Sequence, residues 1–261
     1  LRSRDVIILG GVLREQAVAP LNVYDVTIIG AANLPRQALT ATGGDPHNGT
    51  VIPGGASWNP PHTGAVASTP LLELKAAGWR IVNIAFTPHT SSAAIRLTRS
   101  DTVDTIDAGH CLIQDCVFAS NGGSGQIGIE DNGGCGFTHV INNRFEGLTG
   151  TAMKGLSTAA AVPQQWLIDN NKFEGNTNAI GMSLTKSVIS NNVIRQATND
   201  ANFKVNLVAV AAQGSLNFVL LNFFSDAVAN VTIAKGYKPG TTDVWRNYVT
   251  DQADQVFVVP T

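Results

Sequence analysis

Apolar and polar positions follow one another along this chain in a short pattern that keeps returning. An apolar residue is followed two positions on by Asn or Asp and three further by Phe or Ile. It occurs as Val23/Asp25/Ile28, Ile81/Asn83/Phe86, Ile113/Asp115/Phe118, Val140/Asn142/Phe145, Ile168/Asn170/Phe173, Ile189/Asn191/Ile194 and Val228/Asn230/Ile233. The gap of two keeps the apolar residue and the Asn on one face of a strand. The gap of three would reverse the face, so a corner lies between the Asn and the next apolar residue. Asn and Asp suit that corner because they tolerate left-handed backbone and bond to their own turn. Stacked coils lie about 4.8 Å apart, so amides at such a corner are expected to bond one another in an axial ladder. A fixed-period repeat of short strands predicts a solenoid, and no stretch carries the period of a long amphipathic helix.

A second apolar strand follows each Phe or Ile, as in Ala93-Ala-Ile-Arg-Leu, Gly125-Gln-Ile-Gly-Ile, Thr151-Ala-Met-Lys-Gly-Leu, Asn178-Ala-Ile-Gly-Met and Asn206-Leu-Val-Ala-Val. From Asn83 the polar position recurs at 83, 115, 142, 170 and 191, the length of one coil of short strands and turns. Trp79 and Trp166 stand two residues before Ile81 and Ile168, which places them on the core side. Residues 36–70 are rich in Pro and Gly and read as a loop excursion. The expected organisation is an all-β helix over residues 1–235 and a non-repeat cap or oligomerisation segment over 236–261, with about ten rungs spanning roughly 50 Å.

Composition narrows the class. The 261 residues are 44% hydrophobic and only 14% charged, so Asn, Ser, Thr and Gly supply much of the polar surface. A formal charge of −2 and a pI near 6.2 give no general attraction for phosphate backbones, which argues against nucleic acid as a partner. No apolar run approaches the ~18–20 residues of a membrane-spanning helix, so no membrane insertion is expected. Leu1 is not a start Met, and a processed product or a piece of a longer protein is expected. Cys111, Cys116 and Cys135 are odd in number and outside any staple-rich context, which predicts buried free thiols and assembly in a reducing compartment.

The turns Asn142-Asn-Arg-Phe, Asn170-Asn-Lys-Phe and Asn191-Asn-Val-Ile give residues 5–233 a resemblance to the single-stranded right-handed parallel β-helices of the pectate-lyase-like superfamily. That resemblance implies one of two activities: polysaccharide lyases, hydrolases and epimerases, or the trimeric tailspikes, tail fibres and surface appendages of bacteriophages. The segment Gly240-Thr-Thr-Asp-Val-Trp-Arg-Asn-Tyr-Val resembles the closing segment of phage-encoded β-helix proteins and turns the expectation to the second group. The expected protein is then a homotrimeric virion component, a tailspike, fibre or capsid-surface appendage assembled in the host cytoplasm. Its partners would be its own subunits, other virion proteins and a host-surface polysaccharide. A secreted, extracellular β-helix and a depolymerase of acidic bacterial glycan are the competing expectations.

If the chain is an enzyme, the cluster Asp101, Asp104, Asp107 and His110 is the place for its chemistry. A lyase needs carboxylates to hold a cation against a uronic acid and a base to take the adjacent proton; a glycosidase needs two carboxylates across the scissile bond. The family lyases spread their carboxylates over neighbouring rungs, and no such column follows here, so a solvated turn is the competing reading. Asp45-Pro-His47-Asn48 resembles the Asp-Pro-His-Glu signature of alginate-type epimerases, with Asn where the signature has Glu. Gly123-Ser-Gly125-Gln-Ile-Gly128 fits a dinucleotide pattern, but no helix opens after it and no cofactor is expected. No His pair shows ligand spacing, so no metal site is expected. Trp58, with His62 in the Pro-rich excursion, is a candidate for stacking on a sugar. Trp245, Tyr248 and Phe257 are candidates for an oligomer interface.

Overall fold

A computed structural model describes residues 1–31, 56–61, 64, 66–99, 108–155, 163–196, 205–207, 216–226, 237–238, 244–250 and 256–258. Its strands stack in three parallel columns. The first column holds β1 (Val6–Leu9), β4 (Thr27–Gly30), β7 (Arg80–Val82), β10 (Leu112–Gln114), β13 (His139–Ile141), β16 (Leu167–Asp169) and β19 (Val188–Ser190). The second holds β2 (Gly11–Arg14), β5 (Ala56–Asn59), β8 (Ala85–Phe86), β11 (Val117–Ala119), β14 (Arg144–Glu146), β17 (Lys172–Glu174) and β20 (Val193–Gln196). The long strands β22 (Phe218–Asp226) and β24 (Val244–Thr250) turn the corner and continue both columns. The third is a separate eight-stranded sheet of β3 (Ala17–Val18), β6 (Leu72–Leu74), β9 (Ala93–Thr98), β12 (Ile127–Asn132), β15 (Thr151–Gly155), β18 (Asn178–Met182), β21 (Val205–Leu207) and β23 (Tyr237–Lys238). A final strand, β25 (Val256–Val258), pairs antiparallel with β24. Each turn of chain visits the columns in the order one, two, three, and all pairs within them are parallel. Among the described residues no helix is long and apolar enough to cross a membrane.

The core consists of columns of like residues. Ile28, Ile81, Ile113, Val140, Ile168, Ile189 and Val219 are buried in register along the first column. In the second, Trp58, Phe86, Phe118, Phe145 and Phe173 stack ring on ring with centroids 5.9, 5.3, 4.7 and 4.7 Å apart. Each such pair contributes about 0.5–1.5 kcal/mol beyond its burial. Trp79 and Trp166 are each 1% exposed and donate their indole N–H to the carbonyls of Val23 and Cys135. The three cysteines are free and buried, as their number and context predict.

The corners between the first and second columns are left-handed, with φ of 60° at Asn83, 54° at Asp115, 59° at Asn142, 53° at Asn170 and 54° at Asn191. Outside the corner, Asn142 donates to the Asp115 carboxylate and Asn170 donates to the side-chain oxygen of Asn142 at 3.3 Å, a partial ladder. The complete ladder belongs to the next residue in sequence. Asn143, Asn171, Asn192 and Asn222 are buried, and each donates its amide to the carbonyl of a strand residue one coil away: Ile113, Val140, Ile168 and Ile189. The side-chain Oδ1 of each of these Asn residues also accepts a backbone N–H one coil back, from Cys116, Asn143, Asn171 and Asn192 in turn. The expectation that the first Asn of each pair carries the ladder is thus corrected to the second.

Two repeats also shift. Asp25 lies at a different corner, the one between the third and first columns. Backbone bonds there run from Asp25 to Ala77, from Gly78 to Gly109 and from His110 to Gly136. That corner is left-handed as well, at Asp25, His110, Phe137, Gln165, Lys186 and Leu216. Ile28 therefore pairs with Ile81 of the first column instead of standing beside Phe86. Val228, Asn230 and Ile233 lie outside the described residues, and the pattern after Ile194 is continued instead by Val219, Leu221 and Phe224, with Leu221 at φ 56°. The coil also continues past residue 235, because β24 still pairs in parallel with β22.

Candidate functional site

On the eight-stranded sheet, strand alternation sends Ile95 and Leu97 inward and Arg96 and Thr98 outward. The same alternation turns Glu130 outward on β12, between Ile129 and Asp131. Register then sets Glu73, Arg96, Glu130 and Lys154 side by side on four successive coils, so charge alternates along the axis. Arg96 Nε lies 2.7 Å from one Glu130 oxygen and Lys154 Nζ 3.7 Å from the other. Glu73 accepts from Thr98 at 2.8 Å and faces Lys75 at 3.7 Å. A second Arg96 nitrogen donates to the Ser68 carbonyl at 3.2 Å, which ties the row to the connection before β6. Glu130 is 6% exposed, so this carboxylate between two cations is a fixed element of the surface. Asp131 beside it points inward, wholly buried, and closes the following turn by accepting the N–H groups of Gly134 and Cys135 at 3.0 and 2.8 Å.

The outer surface of these coils therefore presents a row of paired charges. Among the described residues no cluster of three His, Cys, Asp or Glu is placed to hold a metal ion.

The sequence-derived candidates fall in several places. Asp101, Asp104 and Asp107 lie outside the described residues. His110 is exposed at the corner before β10, its imidazole stacked 4.5 Å from the Phe137 ring at an interplanar angle of 3°. Asp45, His47 and His62 lie outside the described residues. Trp58 is corrected from loop to core: it sits in β5 at 3% exposure, stacked on Phe86, with its indole N–H donated to the Glu15 carbonyl. Neither face of its ring is open to a sugar, because the Pro-rich stretch holds a strand that returns to the second column. Trp245 pairs with Val219 and Tyr248 with Phe223 across β22 and β24, and Phe257 pairs with Tyr248. The Gly123–Gly128 pattern leads into β12 and not into a helix. A Cβ at Gly128 would meet the Ala152 carbonyl at 2.7 Å and the Phe145 ring at 2.8 Å, so close packing accounts for that glycine.

The row Glu73, Arg96, Glu130, Lys154 did not stand out in the sequence. Its signal lies in superposing Ile95-Arg96, Ile129-Glu130 and Met153-Lys154 at one offset of the third-column strands.

No family model matches the chain, and no curated protein does. Among solved structures it is similar to a pectate lyase bound to a hexasaccharide, with a TM-score of 0.53 and 10% identity over 93% of this chain and 59% of the other. The fold is a parallel β-helix. A PL6 alginate lyase complex with a trisaccharide also aligns, at a TM-score of 0.46 and 13% identity over 86% of this chain and 49% of the other. The Dettilon tailspike protein aligns at 0.45 and 13% identity over 93% of this chain and 58% of the other. This β-helix thus spans between about half and three-fifths of the length of those proteins.

Proposed function

We propose that this chain is a bacteriophage virion component, a tailspike, fibre or capsid-surface appendage, whose β-helix forms a rigid homotrimeric rod that adheres to a host-surface glycan. The observation that carries the reading is the paired row Glu73, Arg96, Glu130 and Lys154. Both oxygens of its central carboxylate are engaged, which suits holding a polymer better than transferring protons. The fold is also that of a pectate lyase solved with a hexasaccharide, which makes a polysaccharide the first partner to test. Association of subunits is supported by the outer face of the first column. Val6 and Phe218 are 65% and 46% exposed there and share one outward row with Leu112, Leu167 and Val188, interrupted by Thr27, Arg80 and His139. Copies of a chain can bury such a mixed row of apolar and polar side chains against one another.

Light scattering at micromolar protein is expected to give three times the chain mass, and a monomer would overturn the trimer. Binding to immobilised bacterial capsular polysaccharides and lipopolysaccharides is expected for the intact protein and at least tenfold weaker for Arg96→Gln with Glu130→Gln. Equal binding by that variant would remove the charged row from the reading. A depolymerase is the second reading, favoured by one observation: the fold is shared with a pectate lyase solved with a hexasaccharide. Unsaturated product absorbance or new reducing ends, lost in Asp104→Ala or Asp107→Ala, would establish it in place of the first.

A further inference from the structure

We infer that a trough along the outside of the first left-handed corner binds a neutral, hydroxyl-rich oligosaccharide laid parallel to the coil axis. This site is separate from the charged face of the eight-stranded sheet and does not depend on that face binding anything. The first and second columns meet in an inward bend, and the bend encloses an open groove of about 910 Å³. Ligand sites for small molecules and short oligomers run from about 300 to 1,000 Å³.

The groove floor is the outer amide column, Asp115, Asn142 and Asn170, one polar group per coil. An amide has two N–H donors and a carbonyl acceptor. Asn142 and Asn170 each donate once to the previous residue in the column, so each keeps a second donor. Apolar Val117 and Val193 interrupt the polar lining, offering contact to the C–H faces of a sugar ring.

Charge selects against an acidic ligand. The groove cations Arg144 and Lys172 are already held by Glu146 and Glu174. Glu174 has its carboxyl pushed below the usual range, chiefly by the hydrogen bond from Lys172. Asp115 accepts from the neutral side chains of Gln114 and Asn142 and sets a carboxylate on the groove floor, which disfavours an incoming carboxylate beside it.

Period selects against a peptide. The floor repeats once per coil, about 4.8 Å, whereas an extended peptide advances about 3.3 Å per residue and falls out of step within a few residues. A sugar residue in an extended chain has a length close to the coil spacing, so successive hydroxyls meet successive amides.

The test is titration calorimetry of the intact protein with neutral hexasaccharides of β-1,4-glucan, β-1,4-xylan, α-1,4-glucan and β-1,4-mannan, and with hexagalacturonate as the acidic control. At least one neutral hexamer is expected to bind, with affinity rising from trimer to hexamer. Asn142→Gly with Asn170→Gly keeps the left-handed corners and removes the amides, and its expected effect is a loss of tenfold or more with an unchanged melting temperature. Arg96→Gln with Glu130→Gln is expected to leave this binding unchanged, which separates it from the adhesive face. Absence of binding by every neutral hexamer at millimolar concentration, equal binding by the glycine variant, or comparable binding of hexagalacturonate would each overturn the inference. If the glycine variant melts lower, Asn142→Asp with Asn170→Asp supplies the same readout: removal of the N–H donors weakens a bound neutral hexamer, and unchanged affinity overturns the site.

Discussion

Asn142 and Asn143 are chain neighbours of identical chemistry with opposite roles, and so are Asn170 with Asn171 and Asn191 with Asn192. The first of each pair supplies a left-handed backbone angle and turns its amide outward; the second points inward, is buried, and bonds to the coils above and below. The two roles separate where the sequence separates them. At Leu221-Asn222 the outer Asn is lost and the corner still forms at φ 56°, with the inner bonds intact. At Asp115-Cys116 the outer acid is kept and the inner position is Cys. The outer position thus needs a backbone angle that several residues can adopt at modest cost, while the inner one needs a donor and an acceptor at fixed places.

The sharpest way to break the comparison is Asn171→Ala. It removes the acceptor of the Asn143 N–H and the donor to the Val140 carbonyl, both buried, and is expected to destabilise by about 3–5 kcal/mol. Chemical denaturation measures it, and a change under about 1 kcal/mol would make inner and outer positions equivalent.

Alkaline pH probes the place where the inner ladder gives way to sulfur. Burial, partly offset by backbone N–H groups such as that of Ile84, pushes the Cys116 thiol from 9.0 up to about 12. Its folded value lies above its unfolded one. The contribution is therefore fully present below pH 9.0 and is lost as pH rises toward about 12. A thiol reagent at pH 8 is expected to label Cys116 only after unfolding.

Cys116→Asn sharpens the same point. The sulfur already faces the Ile81 carbonyl at 3.6 Å and the Ile84 N–H, the places an amide would fill, so the substitution is expected to extend the ladder and stabilise by about 1 kcal/mol. Smallest is the outer column. Asn170→Ala is expected to cost about 1 kcal/mol for a left-handed Ala, and Asn170→Gly only a few tenths. The two melting curves together test whether the outer residue acts through its φ alone.

The strand repeat and its corners were legible because a gap of two followed by a gap of three admits only a bend, and Asn and Asp mark it. Which of two consecutive Asn faces inward was not legible, since alternation loses its meaning at a corner. Asp25 was misplaced for a related reason: two different corners are left-handed, and both accept Asp. Trp58 was hidden because composition around β5 signals a loop, although four residues in it return to the stack. The charged row emerged only from register, as Arg96, Glu130 and Lys154 are far apart in sequence and each is ordinary alone.

One consequence of β25 concerns growth of the rod. A stack of parallel strands ends in an edge that another copy's first coil could extend, and head-to-tail addition would yield filaments. Here the edge of β24 is taken by a segment running the opposite way, with Val256, Phe257 and Val258 against Val249, Tyr248 and Asn247. Over Asn247–Val249 a newcomer offering strands of the parallel sense finds no matching template, so the reversed strand blocks parallel extension along that stretch of β24.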